Sequence, residues 1–434
     1  MPSGKSGYAL NDTHRTSQTP QSCEPILSLV NLKSKLPPKF QKYASLGVVP
    51  KIILTPVTLF ILFLVLLIRP IFIVQFYAVD RQFGHMLTMT HANQLNNKNW
   101  NRKHKRKKIT IYCFFGWVSS EYALAKIGQS VPVVRSHLAW NLVFFAQRLP
   151  NTCIYYPEQT KMHCYEDLSP LINFSEAEKE KGRAFLGERF DKFVCLNVRD
   201  SAYNTYINKE FGASAKNWTN RNSDINSYRN LAEYLVDVGY TVFRMGSIVE
   251  SSFDFDNPKI IDYATNGTRT EFMDFYLAHE CHFAISTSSG WDEIPTMYRR
   301  PLLLVNHFDF LMTLSKNCLV YPKMLFDFNS GRLLSLSETI EIHLSGKTNQ
   351  KIYSLQDFGI EVIDLNSEEL LDAVTEMAQR VEGTFVETPE QKEMQAKLKH
   401  ILSTHPKLQP TPNHYPIRAE FASCFLSRYP NFLD

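Results

Sequence analysis

Two stretches of the chain, KFVCLNVRD at 192–200 and HFAISTSSG at 282–290, decide its fold class. Each is a short apolar run that suits a buried strand and ends in small or polar residues. A strand that is apolar on both faces belongs in the middle of a parallel sheet. The two stretches therefore predict an α/β fold whose ligand site lies where the strands end.

The flanking sequence extends this pattern into repeated strand–helix units. Further apolar runs predict strands at 240–245, 259–263 and 302–306. Amphipathic helices are expected between these strands, and a second α/β layer is expected upstream, beginning with 110–116 and its helix at 119–127. The predicted organisation is a polar disordered tail, a membrane anchor or in-plane helix, an N-terminal Rossmann-like layer, a C-terminal Rossmann-like layer, and C-terminal helices that pack back on the N-terminal layer. These segments span 1–50, 51–79, 80–185, 186–385 and 386–434.

Composition and missing motifs exclude several classes of protein. The 434 residues are 44% hydrophobic and 21% charged, with a net charge of +4, so neither global disorder nor a nucleic-acid binder is indicated. The eight cysteines form no CxxC pair and are expected to be reduced thiols. GxxxxGK[ST], GxGxxG and HExxH motifs are missing from the sequence, which disfavours a P-loop ATPase, a dinucleotide enzyme and a zinc site. We expect neither a metal nor a cofactor.

One uncharged run, IILTPVTLFILFLVLLI at 52–68, predicts contact with a membrane. Its 17 residues are at the short limit for a spanning helix, and basic residues flank it on both sides. An in-plane anchor with both ends cytoplasmic therefore fits better than a single span, with a buried core helix as the alternative. The basic cluster at 102–108 is either a solvated loop or a contact with anionic lipid head groups.

Polar residues at the predicted strand ends form a candidate site for a diphosphate. The charged pair Arg199-Asp200 ends one predicted buried strand, and Arg244 lies near the C-terminal end of another. The stretch 286–290 joins a strand to the start of a helix, where free amides and the helix dipole favour an anion; the alternative is an ordinary N-cap turn. The predicted donor-binding residues are Asp200, Arg244, Ser286, Thr287, Ser288, Ser289 and Gly290.

A histidine in the N-terminal half is the candidate general base. Gly84-His85 follows the run at 71–79, so it is expected in the first strand-to-helix loop. The pKa of a histidine side chain lies near working pH, which suits proton removal from an acceptor hydroxyl. A structural hydrogen bond is the alternative role for His85, and Asp80 and Glu121 are then the next candidates.

The stretches VCLNVRDSAY, NSDINSYRNLAEYLVDVGYTVFRMGS and EFMDFYLAHECHFAISTSSGWDEIPTMYRRPLLLVN resemble a family of putative GT-B-like glycosyltransferases found mostly in bacterial surface-polysaccharide gene clusters. The resemblance is strong over about 192–306. It implies two Rossmann-like domains facing a cleft, with the donor nucleotide on the C-terminal one and the acceptor on the N-terminal one. It also implies that Arg199 meets the donor diphosphate, with Arg244 and 288–290 as further parts of that site.

The expected function is a membrane-associated glycosyltransferase with a cytoplasmic catalytic domain. It would move a sugar from a nucleotide-activated donor to a glycan or lipid-linked acceptor, with His85 and Arg199 as catalytic residues and membrane lipids as partners. Two alternatives stay open: a non-catalytic membrane-anchored scaffold and a nucleotide-sugar epimerase. No nucleic-acid partner is expected.

Overall fold

The computed structural model describes residues 48–154, 169–187, 192–211, 219–312, 315–345, 355–408 and 417–434. The predicted polar tail therefore lies almost wholly outside the described residues. Contacts group Pro50–Asp434 into one compact unit. The predicted α/β fold is confirmed, because the unit is built on two parallel sheets covered by helices, with a smaller antiparallel sheet of three strands beside them in the sequence.

The strands and helices alternate along most of the chain. The strands are β1 (Phe72–Ala78), β2 (Lys107–Phe114), β3 (Val133–Arg135), β4 (Cys153–Ile154), β5 (Phe193–Asn197), β6 (Thr241–Met245), β7 (Ile260–Ile261), β8 (Phe283–Ser286), β9 (Leu302–His307), β10 (Cys318–Pro322), β11 (Met324–Asp327), β12 (Arg332–Leu333), β13 (Ile360–Ile363) and β14 (Glu420–Phe421). The helices are α1 (Val48–Ile68), α2 (Phe83–Lys103), α3 (Glu121–Ser130), α4 (His137–Ala146), α5 (Glu176–Leu186), α6 (Ala202–Phe211), α7 (Arg229–Asp237), α8 (Glu271–Glu280), α9 (Glu293–Met297), α10 (Leu336–Leu344), α11 (Ser367–Glu382), α12 (Pro389–Thr404) and α13 (Ser423–Arg428).

The first sheet has the strand order β3-β2-β1-β4, and all of its pairs are parallel. Strand β1 is central and its last five residues are buried, with Phe72 opposite Lys107 and Ala78 opposite Cys113. The sequence predicts a membrane segment over 51–79, which includes this strand. That boundary is wrong, because 72–78 forms hydrogen bonds to two neighbouring strands inside the N-terminal layer.

The second sheet has seven strands in the order β14-β10-β9-β8-β5-β6-β7, again all parallel. All five strands predicted for this half are present, with ends within about three residues of those expected. Strands β10 and β14 were not predicted. Strand β5 lies between β6 and β8, and all five of its residues are buried, as its sequence indicated.

The C-terminal segment packs on the second sheet. Strand β14 pairs with β10, and Phe421, Phe425 and Leu398 belong to the core of this half. Both carboxylate oxygens of Glu376 on α11 accept backbone N–H bonds from Ser423 and Cys424. We expected 386–434 to pack on the N-terminal layer instead. Its described residues pack on the C-terminal half, because β14 completes the outer edge of that sheet.

The apolar run forms helix α1, as predicted, and this helix is long and apolar enough to cross a bilayer. It leads into β1 through a tight turn, in which the Ile71 amide donates to the Ile68 carbonyl at 2.9 Å. The described part of the chain holds one such helix. By itself, a single apolar helix is weak evidence for a membrane protein.

Candidate functional site

The site is built where β5 and β8 end side by side in the second sheet. Asn197, the last residue of β5, donates from its amide nitrogen to the Ser286 hydroxyl at 3.2 Å and to the Ser289 hydroxyl at 2.8 Å. The Thr287 hydroxyl accepts from the Arg199 amide at 2.8 Å. The hydroxyls of Ser286, Thr287 and Ser289 therefore hold the two strand-end loops together.

Ser288 occupies a strained position in this loop. Its φ is +69°, in the left-handed region that a residue with a side chain rarely adopts. The Arg221 guanidinium donates to the Ser288 carbonyl at 2.7 Å and to its hydroxyl at 3.2 Å, which fixes the residue there. Strain of this kind, about 1–3 kcal/mol, tends to occur at functional sites.

Three cationic side chains, Arg199, Arg221 and Lys323, lie close enough to affect one another's charge, and we call them the cation cluster. The Arg199 guanidinium donates to the Asn222 side chain. The Lys323 ammonium donates to the Asn222 carbonyl at 2.9 Å and pairs with Asp364 at 2.5 Å. Two of the cations therefore meet on one residue, beside the end of β5.

The three positive charges of the cation cluster repel one another. Burial lowers the pKa of Arg199 to about 10, and the nearby positive charge of Arg221 adds to the effect. Burial also lowers the pKa of Lys323, and the positive charge of Arg199 lowers it further. The negative charge of Asp364 raises it. Arg221 is paired with Asp309 at 3.5 Å. An anion at this point would relieve the repulsion, as bound phosphate does at arginine-rich sites.

Sequence reasoning found Arg199 and missed Arg221 and Lys323. Lys323 directly follows β10, so recognising the apolar run CLVYP as a strand would have placed it at the same sheet edge. Arg221 lies in a short 3₁₀ turn at Thr219–Arg221, and no sequence pattern marks it.

The predicted anion site at a helix N-terminus differs from the structure in one respect. The helix after the loop is a 3₁₀ turn, Gly290–Asp292, followed by the five-residue α9. Its first amides are already used, because Ser289 N–H donates to the Asp292 carboxylate at 2.8 Å and Trp291 N–H donates to the Ser289 hydroxyl at 3.1 Å. Side chains of the cation cluster are therefore better placed than these amides to hold an anion.

Two other predicted donor ligands lie in structural contacts. The carboxylate oxygens of Asp200 accept from the amides of Ala202 and Glu250 at 3.0 and 2.8 Å, which joins two loops. Arg244 is completely buried in β6 and pairs with Asp262 at 3.0 Å. The structure does not bring the Arg244 guanidinium into the cation cluster, and its role as a donor ligand stays a prediction.

The structure brings the predicted base close to the 286–290 loop. His85 lies in the first turn of α2 and is about half exposed, and its Nδ1 is 3.3 Å from an Asp80 carboxylate oxygen. The neighbouring Gly84 touches Gly290. A Cβ built on Gly84 would lie 3.1 Å from the Gly290 Cα, and one built on Gly290 would lie 3.0 Å from the Gly84 nitrogen.

This glycine contact joins the two halves of the unit at the site. Only residues without a side chain permit such a close backbone approach. Gly290 is two residues after Ser288, which Arg221 binds, so the first turn of α2, which carries His85, and the Arg221 side chain contact the same short loop. The site therefore combines cationic side chains that can hold an anion with a histidine that can accept a proton.

A metal site is not apparent in the parts of the chain that the structure describes. There, no group of three or more His, Cys, Asp and Glu side chains is close enough to hold an ion. None of the six cysteines described forms a disulfide. Metal-independent chemistry stays a prediction.

Comparison with known proteins gives distant structural likenesses only. No protein-family model matches the chain, and no curated protein matches it. The ADP-heptose lps heptosyltransferase II of E. coli is 13% identical with a TM-score of 0.38, and the match covers 71% of this chain and 99% of that one.

Two further solved structures are similar at the same low level. A glycosyl transferase of family 9 from Veillonella parvula is 11% identical with a TM-score of 0.35, over 70% of this chain and 96% of that one. The iron-containing dodecameric glycosyltransferase TibC from enterotoxigenic E. coli is 12% identical with a TM-score of 0.29, over 53% of this chain and 57% of that one. Likenesses at these scores establish neither a family nor an activity.

Proposed function

We propose that the protein is a membrane-associated glycosyltransferase. It transfers a sugar from a nucleotide-activated donor to a glycan or lipid-linked acceptor, with the catalytic part on the cytoplasmic side. The observation that carries the proposal is the Gly84–Gly290 contact, which brings the first turn of α2, with His85, against the loop that Arg221 binds. The sequence resemblance to GT-B-like glycosyltransferases supports it, as do the two parallel α/β layers.

The cation cluster provides the donor half of the mechanism. A nucleoside diphosphate leaves with a growing negative charge when the bond to the sugar breaks. Arg199, Arg221 and Lys323 would offset this charge, and they act strongly because they are already partly shielded from water. In this proposal no metal is needed to neutralise the diphosphate, and no cofactor takes part.

His85 provides the acceptor half. Its Nδ1–H can donate to the Asp80 carboxylate, which leaves Nε2 free to take the proton of the acceptor hydroxyl. The Asp80 charge then stabilises the imidazolium that forms, as a carboxylate does for histidine in hydrolytic triads. Asp80 therefore positions His85 rather than replacing it, although the sequence analysis kept it only as an alternative base.

A thermal-shift screen with UDP-, GDP-, ADP- and CMP-sugars tests the donor assignment. A donor at 100 times its Kd should stabilise the protein by about 2.7 kcal/mol. Because CMP-sugars carry one phosphate, they should bind more weakly than the diphosphate donors. Arg199→Ala should remove the shift, and an unchanged shift in that variant would contradict the site.

Turnover with the bound donor separates the proposal from its two alternatives. Transfer to added acceptor, lost in His85→Ala, supports a transferase. Binding without turnover, unaffected by the loss of His85, indicates a scaffold. Conversion of the donor sugar without consumption of acceptor indicates an epimerase.

A further inference from the structure

Helix α1 has two unlike faces. A narrow stripe consisting of Lys51, Thr58, Leu62 and Val65 is buried against the protein. The helix is tied to the protein at both ends. The Asn141 side chain donates to the Lys51 carbonyl at 2.7 Å, and the Arg69 guanidinium donates to the Pro150 carbonyl at 2.8 Å. Helix α1 therefore lies along the body of the protein and does not project from it.

The remainder of α1 is exposed and apolar. No charged residue occurs between Lys51 and Arg69. The exposed apolar side chains on and directly after the helix are Ile52, Ile53, Val57, Leu59, Phe60, Phe63, Leu64, Leu66, Leu67, Ile68 and Ile71. A continuous apolar surface of this size is unusual on a protein that contacts only water, and it marks an interaction surface.

A basic turn lies at the end of this helix. Phe72, just after α1, pairs in register with Lys107, so the segment 102–107 borders the exit of the helix. Residues 102–107 are exposed. Among the described residues, no carboxylate pairs with Arg102, Lys103, Lys105 or Arg106. Their charges therefore face solvent beside an apolar surface.

Charge is distributed very unevenly along the chain. Residues 25–120 contain 14 Lys and Arg and one carboxylate, Asp80. Residues 121–434 contain 31 Lys and Arg and 40 Asp and Glu. The modest net charge of +4 thus conceals a basic N-terminal quarter that carries the apolar helix, and an acidic remainder that an anionic surface would repel.

We propose that α1, Ile71 and the basic turn form a docking surface for one leaflet of an anionic bilayer, with α1 in the membrane plane. The apolar face enters the acyl boundary, and the basic turn binds anionic head groups. Because both ends of α1 are tied to the same body, α1 does not cross the bilayer. The inference rests on the membrane association proposed above and makes no assumption about the reaction.

Flotation of the full chain with vesicles tests this surface. Vesicles of phosphatidylcholine with 30% phosphatidylglycerol (about a third anionic) should bind the protein at least about tenfold more tightly than pure phosphatidylcholine at low salt. Changing Arg102, Lys103, Lys105 and Arg106 to Gln should remove this preference. The matched control changes four exposed cations of the C-terminal segment to Gln: Lys392, Lys397, Lys399 and Lys407. This control variant has the same net charge as the basic-turn variant, and it should keep the preference for anionic vesicles.

The apolar face is tested separately. Phe60→Ser with Phe63→Ser should reduce binding to all vesicles by about tenfold or more, whereas Phe328→Ser, equally exposed elsewhere, should not. Circular dichroism checks that each variant is folded. Equal binding to neutral and anionic vesicles, unchanged in the basic-turn variant, would overturn the anionic surface while membrane association itself stands. A detergent-free dimer that Phe60→Ser dissociates, with no vesicle binding, would make the face a contact between two copies.

The in-plane geometry has its own readout. With tags at both termini and protein bound to sealed vesicles, external protease should remove both tags. Protection of the N-terminal tag alone would show that α1 crosses the bilayer, and would overturn this part of the proposal. Donor binding, measured in parallel by thermal shift, reports on the proposed function independently of either result.

Discussion

Gly84→Ala is the sharpest test of the contact that brings the two halves of the site together. The new Cβ would lie 3.1 Å from the Gly290 Cα, whereas ordinary van der Waals contact begins at 3.4 Å. The obstacle is backbone, so it cannot swing away as a side chain does. The first turn of α2 and the segment at Gly290 must separate by about 0.3–0.9 Å to restore a contact distance in the range 3.4–4 Å.

The size of the effect on catalysis follows from this separation. Misplacing reacting groups by about 1 Å can slow a reaction about a hundredfold, so we expect kcat to fall roughly tenfold. Donor affinity should change little, because the cation cluster lies wholly in the C-terminal half. Stability should fall by about 1–3 kcal/mol from overpacking, partly offset by up to about 1 kcal/mol from alanine's helix propensity.

Gly128→Ala is the matched control for this variant. Gly128 also lies in a helix, α3, but its added Cβ would be 4.0 Å from the nearest neighbour, the Val133 side chain. That variant should gain up to about 1 kcal/mol of stability and keep its activity. If Gly84→Ala behaves in the same way, more stable than the parent and equally active in transfer assays, the contact does not position the site and the argument is refuted.

Three further predictions concern individual side chains of the site. Arg199→Ala and Arg221→Ala should each lower the rate of sugar transfer far more than they lower thermal stability. Arg221→Ala should also release the strained Ser288. Normal turnover with unchanged nucleotide affinity would exclude both arginines from the donor site. His85→Ala and His85→Asn should each lower kcat by about 10²–10⁴-fold and leave donor binding unaffected. Asp80→Asn should lower kcat by a smaller factor. A kcat within about threefold of the parent in both His85 variants would show that His85 is not the general base. Burial raises the pKa of Asp292 to about 6, above its ordinary value of about 3.9, so the folded protein holds this proton more tightly than the unfolded chain. The contribution of Asp292 to the free energy of unfolding should fall by about 3 kcal/mol as pH rises from about 4 to 6. Donor affinity should rise as pH falls through 6, because the negative charge of Asp292 beside the bound anion disappears. Urea unfolding and nucleotide-sugar titration of Asp292→Asn, which should lose both pH dependences, check this.

The five strands of the C-terminal half could be predicted because their signal is local. The stretches at 192–200 and 302–306 are apolar on both faces and bounded by polar or turn residues, which is what a central parallel strand requires. Strand β14 could not be found in this way. It has two paired residues, and its position depends on an edge of β10 that lies about a hundred residues earlier in the chain.

The site was predictable only in part, for a related reason. Arg199 follows a recognisable strand, so its position at the sheet edge follows from the sequence. The sequence does not show which side chains bind Ser288 and Asn222, because Arg221 and Lys323 reach them from separate segments. For Arg244 the strand is predicted correctly but the role of the side chain is not. Its partner Asp262 lies on the loop after β7, and the sequence does not show that this pairing buries the guanidinium.

The two proposals restrict where an acceptor can approach. In a parallel sheet the helix after each strand starts at the carboxyl edge, so α2, which carries His85, and α4 begin at the same edge of the first sheet. Lys51, near the start of α1, contacts the first half of α4 through Trp140 and Asn141, and Arg69 reaches Pro150 beyond the end of α4. Helix α1 therefore runs from the edge that carries His85 to the edge that carries the basic turn. If α1 lies in the membrane plane, the bilayer borders both the edge that carries His85 and the edge that carries the basic turn. An acceptor held in the lipid could then reach His85 without leaving the surface. This geometry favours a lipid-linked acceptor over a free glycan, because binding at the surface confines enzyme and acceptor to the same layer.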